Sequence, residues 1–163
     1  MRVFLFLLTL PFFTILNLNE IRSKYEVASL SEDNLNDFLA LLNKSSVSPA
    51  LKTAYLGAAK AISARFYFNP VNKLSAFNEG KNKIENSVKS EPKNIEIRYI
   101  RFSIQSNVPS LLGYSLNLEE DKKLLINFIL QKENETIDAD LYRRIKAYLK
   151  VSPHVSQTDK AKL

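Results

Sequence analysis

Residues 48–66 read SPALKTAYLGAAKAISARF, and this stretch decides the fold. Ser48 precedes Pro49, which joins a helix-capping hydroxyl to a proline at the first helical position, where the missing N–H costs nothing. Beyond that start the stretch has two faces at helical spacing. Leu51, Tyr55, Ile62 and Phe66 lie on one, and Ala50, Ala54, Gly57, Ala58 and Ala61 lie about a quarter-turn or more away. A stripe of small side chains lets another helix come close, so a helix over 49–66 is expected at the centre of a helical domain.

Similar start and stop signals recur on both sides. Asn69 before Pro70 opens the next helix, and Glu91-Pro92-Lys93-Asn94 ends it and caps a further one over 95–107, closed before Pro109. Upstream, Ser29-Leu30-Ser31-Glu32 reads as a capping box. Glu32 and Asp33 suit the positive end of the dipole, and Leu35, Phe38, Leu39 and Leu42 form the apolar stripe of a helix over 30–44. Downstream, Asn117 with Glu119, Glu120 and Asp121 opens a helix over 118–132. Asp138 opens the last one, striped by Leu141, Ile145, Tyr148 and Leu149 and stopped by Pro153. Residues Ile95 to Phe102 also alternate with period two, but the Asn94 cap and the continuation to Ile104 favour helix. The expected fold is all-α, with about six helices in antiparallel hairpins.

The first residues read differently. Arg2 is followed by the apolar runs Val3–Leu8 and Leu10–Leu16, broken only by Thr9, Pro11 and Thr14. This is the shape of a secretory signal peptide, and the run is short of the roughly 20 residues that span a bilayer. The expected division is a signal peptide over 1–23, a helical domain over 24–152 and a polar, frayed tail over 153–163. Export to the periplasm or beyond follows. Ser23, or Val27 with Ser29, are the best small-residue cleavage positions, and an uncleaved N-terminal anchor is the alternative reading.

Composition removes several chemistries. The 163 residues contain no Cys, which excludes disulfides, thiolate metal sites and Cys nucleophiles. Gly57, Gly80 and Gly113 are too few and too scattered to cradle a nucleotide phosphate, so no cofactor is expected. The formal charge is +6, yet Lys and Arg are interleaved with acids, as in Glu120-Asp121-Lys122-Lys123, which reads as a solvated surface rather than a nucleic-acid interface. His154, the only His, stands beside Pro153 in the tail, leaving a Ser nucleophile without a base. Glu119, Glu120 and Asp121 sit where a helix N-terminus wants acids, and no metal site is read there.

Residues Gly80 to Asn94 resemble the second helix of a tetratricopeptide repeat: small Gly80, large Ile84, small Ser87, then Pro92 with Lys93-Asn94 as the repeat junction. The resemblance implies a TPR-like stack of helical hairpins, otherwise a helical bundle, that binds a peptide or protein partner and carries out no catalysis. As a whole the chain resembles small exported helical-hairpin proteins.

Four side chains stand out as candidate binding residues. On the 95–107 helix, Ile97, Ile100 and Ile104 fall on one side and Ile95, Tyr99 and Phe102 on nearly the opposite one, so this helix should be sandwiched. Arg98, Arg101 and Gln105 share a flank between those faces. Adjacent guanidiniums repel unless something negative lies close, whether Glu79, Asp121, another chain or a ligand carboxylate, which points to an internal salt-bridge network or to an anion-recognising strip. Lys81 falls on the apolar seam Leu74, Phe77, Ile84 and Val88, where its stem can cover the core, or its ammonium can meet a carboxylate such as Asp121. The expected function is a non-catalytic interaction module. A hydrolase using paired carboxylates, or a membrane-surface protein held by an uncleaved N-terminus, are the rivals.

Overall fold

The structure is a computed structural model that describes residues 10–131 and 138–163, with side chains from Leu18 onward. Eight α-helices appear among the described residues: α1 (Leu10–Val27), α2 (Glu32–Lys44), α3 (Pro49–Ser63), α4 (Pro70–Ser90), α5 (Ile95–Asn107), α6 (Leu118–Leu130), α7 (Ala139–Val151) and the single-turn α8 (Gln157–Lys160). A 3-10 turn, Ser110–Leu112, links α5 to α6, and no strand occurs among these residues. The all-α expectation holds. The two helices beyond the expected six are α1, on the stretch read as a leader, and α8, in the tail.

The caps explain the boundaries. Ser48 Oγ accepts from Leu51 N–H at 3.3 Å, Asn69 Oδ1 from Val71 N–H at 2.8 Å, and Asn94 Oδ1 from Glu96 N–H at 3.1 Å and Ile97 N–H at 3.2 Å. The Asn94 cap leaves Ile95 to Asn107 helical, so the period-two reading of that stretch fails. At α2 the cap is Ser31, which accepts from Asn34 N–H at 3.1 Å, so the helix starts at Glu32. Helix α3 stops at Ser63, short of Phe66, because Arg65 and Phe66 turn back to the carbonyls of Ile62 and Ser63 before the Asn69-Pro70 start.

Helices α3 and α4 form an antiparallel hairpin in which the small-residue stripe does what its spacing implies. Ala54 and Ala58 are fully buried, and the two backbones meet at Gly57 and Gly80. A methyl group on Gly80 would stand 2.5 Å from both the Ala61 nitrogen and the Gly57 oxygen. Backbone on both sides cannot yield as a side chain would. Gly80→Ala should therefore destabilise the domain by about 2–3 kcal/mol, the upper part of the usual overpacking range, despite alanine's better helix propensity. A lowered urea midpoint would show it.

Helix α5 is sandwiched as its two apolar faces require. Ile97, Ile100 and Ile104 join the cluster made by α1 to α4, where Tyr55 packs edge-on to Tyr25 and Phe38, which are tilted against each other, with ring centroids 5.4–5.7 Å apart. Tyr99 and Phe102 join a second cluster with Leu125 and Ile129 of α6 and Ile145 and Leu149 of α7. The tail expected to fray instead folds back: Val155 is buried in this second cluster and Leu163 packs against it.

At the N-terminal side, the expected boundary at residue 23 falls inside α1. Ile21 is fully buried and Arg22 is 3% exposed, so both belong to the body of the domain. No helix among the described residues is long and apolar enough to cross a membrane.

Candidate functional site

The Arg98–Arg101 flank faces inward, onto α6. Asp121, in the first turn of α6 and fully buried, accepts from Arg98 Nη1 at 2.8 Å and from Arg101 Nε and Nη2 at 2.7 and 2.8 Å. Arg98 also donates to the Pro92 carbonyl at 2.8 Å and pairs with Glu120 at 2.8 Å, and Arg101 pairs with Glu85 at 3.0 Å. Burial alone would lower the Arg101 pKa, but the hydrogen bonds and charges of Asp121 and Glu85 raise it, so the guanidinium stays ionised. The repulsion between neighbouring guanidiniums is thus answered within the chain. Arg101 spends all three guanidinium nitrogens on Asp121 and Glu85, and Arg98 spends its Nε and Nη1 on Pro92, Glu120 and Asp121.

Gln105 completes the flank without joining it. It is 3% exposed, and neither its side-chain nitrogen nor its oxygen has a hydrogen-bond partner among the described residues. A buried amide of that kind costs free energy that an apolar side chain of similar size does not. Gln105→Met should raise stability by about 1 kcal/mol, visible as a higher thermal midpoint.

Lys81 does not meet Asp121. Its Nζ lies 5.1 Å from the ring centroid of Tyr114, and the Tyr114 hydroxyl donates to Glu85 Oε1 at 2.7 Å. Glu85, bound through its other oxygen to Arg101, thereby links the Lys81–Tyr114 contact to the Asp121 node. Arg98, Arg101 and Lys81 therefore belong to one framework that ties α4, the 108–117 connection and α5 to α6.

A second buried node lies at the N-terminus of α5, around Glu96. Arg22 of α1 donates to both oxygens of Glu96 at 2.8 and 2.7 Å, and Tyr55 of α3 donates to Glu96 Oε1 at 2.6 Å. Arg22 reaches Asp138 at 2.8 Å and Asp140 at 3.3 Å, which brings in the start of α7. Burial pushes the Asp138 and Asp140 carboxyls up, yet the hydrogen bonds from Arg22 to the first and Arg144 to the second hold both below the ordinary aspartate range.

An open groove lies elsewhere among the described residues, where α1, α3 and α5 finish and α4 begins. It has a volume of about 670 Å³ and is lined mainly by apolar side chains. Tyr25, Tyr99, Ile104 and Tyr148 contribute to its floor, and Phe77, Leu74, Leu111 and Leu112 come from the α4 side and the 3-10 turn. Several polar groups in the floor are already engaged. Ser103 Oγ donates to the Ile100 carbonyl at 2.8 Å, so the Tyr25 hydroxyl donates to Ser103 at 2.5 Å. Asn107 Nδ2 donates to the Tyr148 hydroxyl at 2.9 Å. Burial raises the Tyr25, Tyr99 and Tyr148 pKa values, which keeps these phenols protonated.

The groove holds three charged side chains. Glu26 pairs with Arg144 at 2.6 Å, whereas Arg65 and Lys73 have no ion-pair partner among the described residues. One carboxylate, already paired, does not make an acid–base couple. Among the described residues no group of three or more His, Asp or Glu side chains stands together so as to hold a metal ion. His154 is exposed, and its Nε2 lies 3.2 Å from the Ser106 carbonyl.

No known protein family, curated protein or solved structure matches the chain. The groove's own chemistry is therefore the guide to function. Leu74, Phe77, Tyr99, Ile104 and Tyr148 are legible as apolar stripe positions, but none of the lining residues reads as a binding residue in the sequence, because they come from five separate segments. Tyr25 lies next to the stretch read as a leader, and Leu111 and Leu112 sit in a connection that carries no periodic pattern. The one local signal is Pro109 with Gly113, whose φ of 61° closes the 3-10 turn and presents Leu111 to solvent.

Proposed function

We propose that this chain is an exported, non-catalytic interaction module, a TPR-like helical-hairpin scaffold that seats an apolar stretch of a partner peptide or protein in the groove. The observation that carries this reading is the rim. Leu74 and Leu111 line the groove while remaining 49% and 87% exposed, so apolar surface continues outward from a concave floor. An apolar cleft of this volume is of binding-site size, and contiguous exposed apolar surface marks interaction sites. The α3–α4 hairpin supports the scaffold part of the reading, since Gly80, Ile84 and Ser87 are among the buried residues of α4, beside Ala76, Phe77 and Val88. The single paired carboxylate of the groove supports a non-catalytic role over a two-carboxylate hydrolase.

A peptide-display selection on the full chain tests the binding reading. Enriched peptides should share apolar anchors at a regular spacing, and they should be lost on the Leu74→Glu/Leu111→Glu variant. A selection that enriches nothing above that variant would overturn it. For export, the leader is taken to end before Leu18, because Leu18, Ile21 and Arg22 pack into the body. N-terminal sequencing of protein from a non-cytoplasmic fraction should show residues 18–23 retained, and intact Met1 in the cytoplasm would overturn export.

A further inference from the structure

We infer that the groove selects a partner segment that is acidic as well as apolar, with Arg65 and Lys73 reading carboxylates placed beside the apolar anchors. The inference rests on the groove reading above and adds the partner's charge. Two observations carry it. Arg65, at the end of the α3 region, and Lys73, in the first turn of α4, both line the groove, both are exposed, and neither has an ion-pair partner among the described residues. Among the described side chains every other arginine holds a carboxylate, as do Lys24, Lys60 and Lys122, whereas exposed lysines such as Lys44, Lys89 and Lys150 have none; Arg65 and Lys73 differ from those lysines by lining the groove. The groove's own acid, Glu26, is held by Arg144. The mouth is therefore left with two positive charges next to an apolar trough.

That combination discriminates among occupants. A second copy of this chain would bring the same cations and a formal charge of +6 against each other, which disfavours self-association through this face. A flat anionic membrane would meet the cations but would not fill a concave floor of Tyr25, Ile104 and Tyr148. A single long-chain carboxylate would fill the floor and leave Leu74 and Leu111 in water. A peptide segment with apolar side chains on one face and Asp or Glu flanking them satisfies the floor, the rim and the cations together. Exposed ion pairs are individually weak, so the charges act mainly on partner choice and association rate.

The test uses the full chain and the strongest peptide from the display selection, synthesised in three versions that carry its acidic positions as Glu, Gln or Lys. Fluorescence anisotropy should show the Glu version binding about tenfold more tightly than the Gln version at low salt, with the gap closing as salt is raised. The Lys version should be weaker still. Arg65→Glu/Lys73→Glu should reverse the order and favour the Lys version. Both side chains are exposed, so the fold should survive, and unchanged far-UV circular dichroism checks that. Equal affinity for the three versions, each still dependent on Leu74 and Leu111, would overturn the charge inference and leave the groove reading standing. If no peptide is enriched, or if tetradecanoate or phosphatidylglycerol vesicles saturate the groove and no peptide competes, both fall.

Discussion

A chain that begins at Lys24 should fail to form the stable helical domain that a chain beginning at Leu18 forms. The shorter chain lacks Leu18 and the fully buried Ile21, and above all it lacks Arg22, the bidentate partner of Glu96. Glu96 is 5% exposed and would keep only the Tyr55 hydroxyl, while Asp138 and Asp140 would lose a shared cation. Leaving a buried charge uncompensated costs about 3–5 kcal/mol, and deleting a buried aliphatic side chain about 2–5 kcal/mol. Together these approach the whole net stability of an ordinary domain, roughly 5–15 kcal/mol. Residues 18–163 should melt cooperatively by circular dichroism, and residues 24–163 should show a broad or absent transition at room temperature. Equal melting of the two would mean that α1 is a passenger.

Replacing Asp121 should have the next largest effect. Asp121→Ala leaves Arg98 and Arg101, 7% and 3% exposed, facing each other with only the exposed Glu120 and the half-buried Glu85 in reach. The expected loss is about 3–5 kcal/mol, which for a domain of this size lowers the melting temperature by roughly 10 °C. Replacing both arginines by Gln leaves Asp121 buried without its cations and should cost a similar amount. Glu120→Gln is the internal contrast: its side chain is 57% exposed, and the change should cost under about 1 kcal/mol. A melting temperature within a degree or two of wild type for Asp121→Ala would show that the node adds little to the fold.

The contrast between those two nodes and the groove shows what the amino-acid pattern can and cannot announce. Proline and capping residues before apolar periodicity are local signals, and Ser48, Asn69, Asn94 and Asp138 each cap the helix expected of them. The two apolar faces of α5 were legible for the same reason, since a 3.6-residue period assigns Ile97 and Tyr99 to different sides. The spacing of Arg98 and Arg101 even demanded an anion nearby. It left Asp121 as one candidate beside Glu79, another chain or a ligand, because the choice depends on how two helices separated by a turn come together. The Arg22–Glu96 pair was hidden more deeply: an apolar run is the signature of a leader, and only tertiary packing reveals that its C-terminal flank belongs to the core. The groove was the least legible of all. Leu74, Phe77, Tyr99, Ile104 and Tyr148 lie on periodic apolar stripes, but a stripe does not say where helix ends and a turn leave it uncovered.

On the proposed reading, binding resides in this groove and the arginine flank is framework. Anisotropy titration of the selected peptide against wild type, Leu74→Glu/Leu111→Glu and Asp121→Asn, at a temperature where all three are folded, tests it directly. Losing two apolar rim contacts should weaken binding by at least tenfold in the leucine variant, on the scale of about 1.4 kcal/mol. The Asp121 variant, though less stable, should bind within about twofold of wild type. Undiminished binding by the leucine variant, together with loss of binding by Asp121→Asn, would contradict the account and return the site to the flank of α5.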